Sequence, residues 1–494
     1  MDQNFYRRSL NVTLLGIVVS GPLSGCGSSS ELGQDAEGET AAQSFEMAIP
    51  IDARRSLAIT DEQILARFSF RRVLDQLVSQ SGVPGLTALS LFQQWWDTQN
   101  PGPGLGLGPH CDDTTDANGL PTLNGFPYDC RPAPSEGIQA QADPFAEPLA
   151  TNPDAYIPVG LFMRPDLARQ SARSCGEYRI VYAKRSGITN NRDRNLIIFE
   201  AALSNPRPDG ALLGCKPLAA FLANLSSKPQ LNVRATDLER LFFTGVNGFP
   251  PAIHVTHFGD NAFDLGQIRT NQFINITPSI WTLREFKLVR HFTGSTPDAL
   301  QIVPVTVKNN PFGPLMGASD SHALTPEFQE SQASRMVHHL SVSNFAAESF
   351  AFPDPFNSGQ SHASASTENN YVLQFASAPE SFRSELDAAL AARGSTLTAT
   401  NIIQRAQALS CAGCHRLNNN MDVGGGVTWP RSLGFTHVTE NATEIVGGSQ
   451  RFVLSEAMVN AFLPERVALL KRLVTEVDPR ARTPQATFSG RETH

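Results

Sequence analysis

Charge is scarce in this 494-residue chain. Asp, Glu, Lys and Arg together make up 17% of it and the formal net charge is -8. With no basic stripe to neutralise phosphates, nucleic acid is excluded as a partner. Long apolar runs are also missing. The run at residues 12–19 falls short of the ~20 residues a membrane-spanning helix needs. No G-x-S-x-G, phosphate loop or dinucleotide fingerprint occurs, which removes the common signatures of acyl transfer and nucleotide binding. Cysteine is sparse at 7 residues, and none follows Cys414. What remains is 41% hydrophobic content over a long chain, enough for a large core and for two or three domains.

Against that background one stretch stands out, Cys411-Ala412-Gly413-Cys414-His415. Two cysteines three apart with a histidine directly after have the spacing for two thioether bonds to a haem whose iron the histidine reaches. Two other chemistries compete. A structural zinc site needs two further ligands, which only scattered histidines or carboxylates supply here. A thioredoxin-type redox pair sits where a strand opens into a helix. Here the order is reversed: residues 401–409 read as a helix leading into the cysteines, with Ile402, Ala406 and Leu409 on one face. Beyond the motif, Asn418 to Asn420 and Gly424 to Gly426 interrupt any regular element. Covalent haem is the leading expectation, with a plain disulfide or a metal site as alternatives.

The N-terminus reads as an address. Arg7 and Arg8 precede the short apolar run, as in a secretory signal. Its end, Leu23-Ser24-Gly25-Cys26, resembles the lipobox of bacterial lipoproteins. The resemblance implies cleavage before Cys26, lipidation of its sulfur and, with Gly27 next, an outer-membrane location facing the periplasm or the surface. Residues 1–25 are then signal peptide, and 26–45, with little to bury, a flexible tether.

Residues 46–352 read as an α+β domain. Thr60-Asp61-Glu62-Gln63 is expected to be a capping box opening a helix that Gly82 ends, and a second helix over 86–97 carries Trp95 and Trp96 as packing residues. A long Gly- and Pro-rich segment at 100–137 holds Cys111 and Cys130, and a disulfide between them would fix it. Cys175 and Cys215 flank a hairpin over 178–201 and form the second expected pair. Strands come next at 267–274, 281–289 and 300–307, with Pro304 marking the last as an edge, and a helix opens at Thr325 and Pro326. His254 with His257, and His338 with His339, have no convergent third ligand in the sequence, so no catalytic site is assigned to this region. Residues 353–394 read as a linker and connecting helix.

The last part, 395–480, resembles class I cytochrome c through its haem motif, with a helix entering the motif and a terminal helix over 464–477. Residues 481–494 are a tail. The resemblance implies a small all-α domain holding one covalent haem c, with thioethers from Cys411 and Cys414 and iron bound by His415. It also implies a proline carbonyl near His415, for which Pro430 is the candidate, although Trp429 stands where the family has glycine. Met458 suits the sixth position on the iron, His437 is the rival, and an open iron is the third option. The expected function is electron transfer by a membrane-anchored haem lipoprotein, with an unidentified redox partner protein or small molecule. Two alternatives are a peroxidase-like haem oxidoreductase whose large domain binds substrate, and a non-redox surface binding protein.

Overall fold

The computed structural model describes residues 50–131, 136–170, 173–274, 280–347, 350–363 and 368–475. Cys26, the tether and the tail lie outside them. The described residues belong to one compact unit.

Strict alternation of side-chain character builds the centre of the fold. Along β-rich runs such as Tyr178-Arg179-Ile180 and Phe199-Glu200-Ala201, apolar and charged residues fall on opposite faces of a strand. Eight strands share one antiparallel sheet. They are β1 (Ala58–Ile59), β2 (Tyr156–Arg164), β3 (Ser174–Lys184), β4 (Asn195–Ser204), β5 (Gln267–Ile274), β6 (Ile280–Thr293), β7 (Thr296–Val305) and β8 (Gln360–His362). The spatial order is β1-β2-β3-β4-β5-β6-β8, with β7 also paired to β6. The hairpin expected over 178–201 is β3 and β4, with Ile180 opposite Phe199. Pro304 sits opposite Phe286 in β7, which pairs with β6 alone.

The apolar face packs on two helices, α1 (Phe70–Ser81) and α2 (Ala88–Asp97). Ser69 caps α1 through the Arg72 amide, and Gly82, at φ 73°, closes it in the left-handed region that glycine enters without a Cβ clash. Trp95 and Trp96 are fully buried, and Trp95 meets Phe199 and Phe286 edge-on at 6.5 and 5.5 Å. Burial of side chains this size contributes about 1.5–3 kcal/mol each. The capping box at Thr60 does not form. Asp61 occupies the N-cap of a single turn, Glu62–Leu65, and its side chain is taken by Ser449 and Arg451.

Among the described residues two disulfides form, Cys111–Cys130 and Cys175–Cys215. The first closes the Gly- and Pro-rich segment, and the second ties β3 to α3 (Lys216–Ser226). A second apolar cluster forms around α4 (Thr325–Leu340), α5 (Glu380–Ala392) and α6 (Ala399–Leu409).

The fold-class expectation needs correction at its C-terminal end. Beyond α6 the chain forms a two-stranded hairpin, β9 (Val438–Val446) and β10 (Ser449–Leu454), before α7 (Leu463–Thr475), the last helix among the described residues. A small all-α cytochrome c-like domain is therefore not what residues 395–480 build. The physical cause lies in the partners: β10 docks on the N-terminal segment through a Phe452 amide to Thr60 carbonyl bond of 3.0 Å. Val438, Leu454, Met458 and Leu469 enter the same core as Leu57 and Phe162.

Candidate functional site

The second face of the sheet is the unusual one. In an antiparallel sheet with one face on the core, the other normally meets water. Here it carries Glu177 and Arg179 on β3, Glu200 on β4, Gln267, Arg269 and Asn271 on β5, and Glu285 on β6, and all are buried or nearly so. The register sets Arg179 against Glu200, Glu200 against Gln267 and Arg269 against Glu285. Arg269 bridges Glu200 at 3.1 Å and Glu285 at 3.0 Å, and Arg179 reaches Glu200 at 2.9 Å. Lys308 donates to Gln267 at 2.6 Å. Three carboxylates and two arginines thus balance under cover, and the exposed Lys308 reaches in to add a third cation. Burial opposes the charge of Arg269, but Glu200 and Glu285 outweigh it and raise its pKa. Burial likewise opposes the Glu177 carboxylate, yet Arg179 and Lys308 bring it down to about 2.

The cover is the Cys411 to Leu417 segment. Helix α6 starts with a capping box between Thr398 and Asn401 and stops where Ser410 turns extended. Ser410 Oγ then accepts the Gly413 amide at 3.1 Å, which starts a π-helical turn over Gly413–Leu417. Position 413 admits only glycine, since a Cβ there would lie 1.7 Å from the Gln407 carbonyl oxygen. Ser361 of β8 accepts the Ala412 amide at 3.0 Å, fastening the turn to the sheet edge.

This turn lays the motif on the charged face. Arg269 points a guanidinium nitrogen at Cys411 Sγ, 3.7 Å away. His415 Nδ1 donates to the Phe435 carbonyl at 2.7 Å, leaving Nε2 with the lone pair. Phe435 holds φ at 80°, a costly conformation for a bulky residue, kept in place by ring packing on Phe273 and Trp281. Cys414 Sγ lies 3.2 Å from His437 Nε2, and His437 Nδ1 lies 2.8 Å from Ser455 Oγ. Burial sets the protonation of the group. It pushes the Cys414 thiol up to about 12, with Cys411 adding to the effect, and raises Cys411 against the pull of Arg269. It lowers His415 to about 4 despite the Phe435 hydrogen bond, and holds His437 well below the usual histidine range. At neutral pH the site is two thiols beside two neutral imidazoles.

The carbonyl that fixes His415 belongs to Phe435, five residues past Pro430. Of the two candidates for a sixth ligand, His437 is the neighbour of His415, whereas Met458 Sδ accepts from Arg466 at 3.5 Å inside the core. His254 and His257 pack ring on ring, with His257 Nδ1 bonded to the Ala252 carbonyl. Glu200, Arg269, Glu285, Ser455 and Phe435 were missed from sequence. The one signal available for the first three was a charged residue in each of three neighbouring strands.

The expectation of one covalent haem c is corrected. Among the described residues, the single group of three or more His, Cys, Asp or Glu with converging donor atoms is Cys111, Asp112 and Cys130, and its two sulfurs are spent in a disulfide. Cys411 and Cys414 are free thiols, but with His415 and His437 they form no such group. The His415 and His437 rings pack directly, with centroids 4.6 Å apart. Two imidazoles on opposite sides of one metal need about 4 Å between the ligating nitrogens alone, from two bonds of about 2 Å, and more between centroids. The residues as placed do not fit the group.

No protein-family model matches the chain, and no curated protein or solved structure matches it.

Proposed function

We propose that this protein is a redox carrier of the bacterial cell envelope that takes up and releases electrons in pairs at the Cys411 and Cys414 thiols. The observation that carries the reading is the 3.2 Å contact between Cys414 Sγ and His437 Nε2 beside a second free thiol, in a chain whose other four described cysteines are paired. Free thiols persist in an oxidising compartment only where something protects or uses them. The C-x-x-C spacing favours use.

On oxidation two S–H bonds break and one Sγ–Sγ bond forms. Two protons leave, and two electrons pass to an acceptor, here the disulfide of a partner protein, which becomes two thiols. His437 is the proton acceptor for Cys414, since its Nε2 is neutral and within reach while Ser455 orients the ring. Arg269 beside Cys411 partly offsets the burial that raises this thiol and would pair with the thiolate once it forms at the attacking sulfur. Lipidation at Cys26 would hold the carrier at the outer membrane and confine it to partners there.

The test is a redox titration of the purified protein in dithiothreitol buffers, with maleimide trapping and mass mapping. A single two-electron transition confined to Cys411 and Cys414, and lost in Cys411→Ser with Cys414→Ser, is the expected result. Thiols that stay reduced at every potential, or sulfurs recovered as thioethers, would overturn the proposal.

A further inference from the structure

A cleft of about 750 Å³ opens against the outer side of the Cys411 to Leu417 turn, within the size range of small-molecule sites. Its apolar wall is a cluster of three rings: Phe273 meets Trp281 at 4.9 Å, Phe435 meets Phe273 at 5.5 Å, and Trp281 meets Phe435 at 5.4 Å. Its polar side includes Arg416 and Arg431, and no Asp or Glu among the described residues lines it. In a chain of net charge -8, a cleft that presents Arg416 without a counter-charge among the described residues, with Arg431 held by Glu456, favours an anionic ligand.

Among the described residues, one of the two guanidiniums is engaged by the protein in an ion pair and the other is not. Arg431 is paired with Glu456, which stands outside the lining. Arg416 lies over the Phe435 ring at 5.0 Å, and no ion pair to it is found among the described residues. Trp281 Nε1 is a buried N–H with no hydrogen-bond partner among them. A buried donor left unmade is costly.

We infer that this cleft is a binding site for a planar aromatic carboxylate. The ring would lie on the Phe273, Trp281 and Phe435 wall, and Arg416 would grip the carboxylate in the two-pronged fashion a guanidinium allows. The cleft adjoins the centre without sharing its sulfurs. Ser432, in its lining, donates to the His415 carbonyl at 2.6 Å, and Phe435 supplies the carbonyl that fixes the His415 ring. Occupancy therefore bears on the two groups that orient His415.

Calorimetry with 2-naphthoate tests this, with neutral 2-naphthalenemethanol and acetate as comparators. Naphthoate is expected to bind at least tenfold more tightly than either, and Arg416→Gln to weaken it at least tenfold without changing the circular dichroism. Arg431→Gln is a second variant, expected to weaken binding by a smaller factor. The Cys411→Ser, Cys414→Ser protein is expected to bind naphthoate as the parent does, so the result is independent of the redox reading. Equal affinity for the neutral alcohol, or undiminished binding in both arginine variants, would overturn the inference.

Discussion

Asp61 and Arg451, 390 residues apart, form an ion pair of 2.9 Å in the interior, with Asp61 fully buried. Ser449 donates to the same carboxylate oxygen at 2.8 Å. This contact ties the C-terminal hairpin to the start of the fold.

Asp61→Ala removes one partner and leaves Arg451 buried without its counter-charge. Such a loss costs ~3–5 kcal/mol. Urea unfolding should show the midpoint lowered with the slope unchanged. A cost under about 1 kcal/mol would mean that Arg451 finds water or another carboxylate.

The disulfides should differ in worth. Cys175–Cys215 spans 40 residues and Cys111–Cys130 spans 19. Either loss should cost ~2–5 kcal/mol, and the chain-entropy model makes the longer loop worth about 0.7 kcal/mol more. Paired alanine variants, compared by denaturation, give the order. A larger loss at Cys111–Cys130 would show that native packing, and not loop closure, sets the difference.

Cys414 should be a slow thiol. With its pKa near 12, the thiolate fraction at pH 8 is on the order of 10⁻⁴, against about a quarter for an ordinary cysteine. Alkylation by iodoacetamide is expected to be over a hundredfold slower than for a free thiol and to rise about tenfold per pH unit from pH 7 to 9.5, because only the deprotonated form reacts. A rate that levels off below pH 8 would place the thiolate in an ion pair with His437 and contradict the neutral pairing drawn above.

Legibility in the sequence tracks the range of the interactions that set each element. Helices such as Thr325–Leu340 and Ala399–Leu409, and the β3 to β4 hairpin, declare themselves because their periodicity and caps are local. Residues 353–394 read as a linker and connecting helix, yet Gln360–His362 is a strand. Its assignment depends on pairing Gln360 with Arg284, which no window of sequence contains. The continuous helix expected from Thr60 breaks because Ser69 caps a new one and Asp61 is needed by Arg451. At the site, the motif itself was visible and so was His437. The wall was not, since Glu200, Arg269 and Glu285 each look like ordinary solvent-facing strand residues until the turn is laid over them.

Synthesis completes the charged face before its cover exists. Strands β3 to β6 are complete more than a hundred residues before the turn that covers them is made. A sheet waiting that long with an apolar face exposed would invite aggregation. The surface left open here is carboxylates and guanidiniums already paired with one another, which water solvates well. The unfinished chain thus presents a polar face until the turn over Cys411 to Leu417 is laid on it.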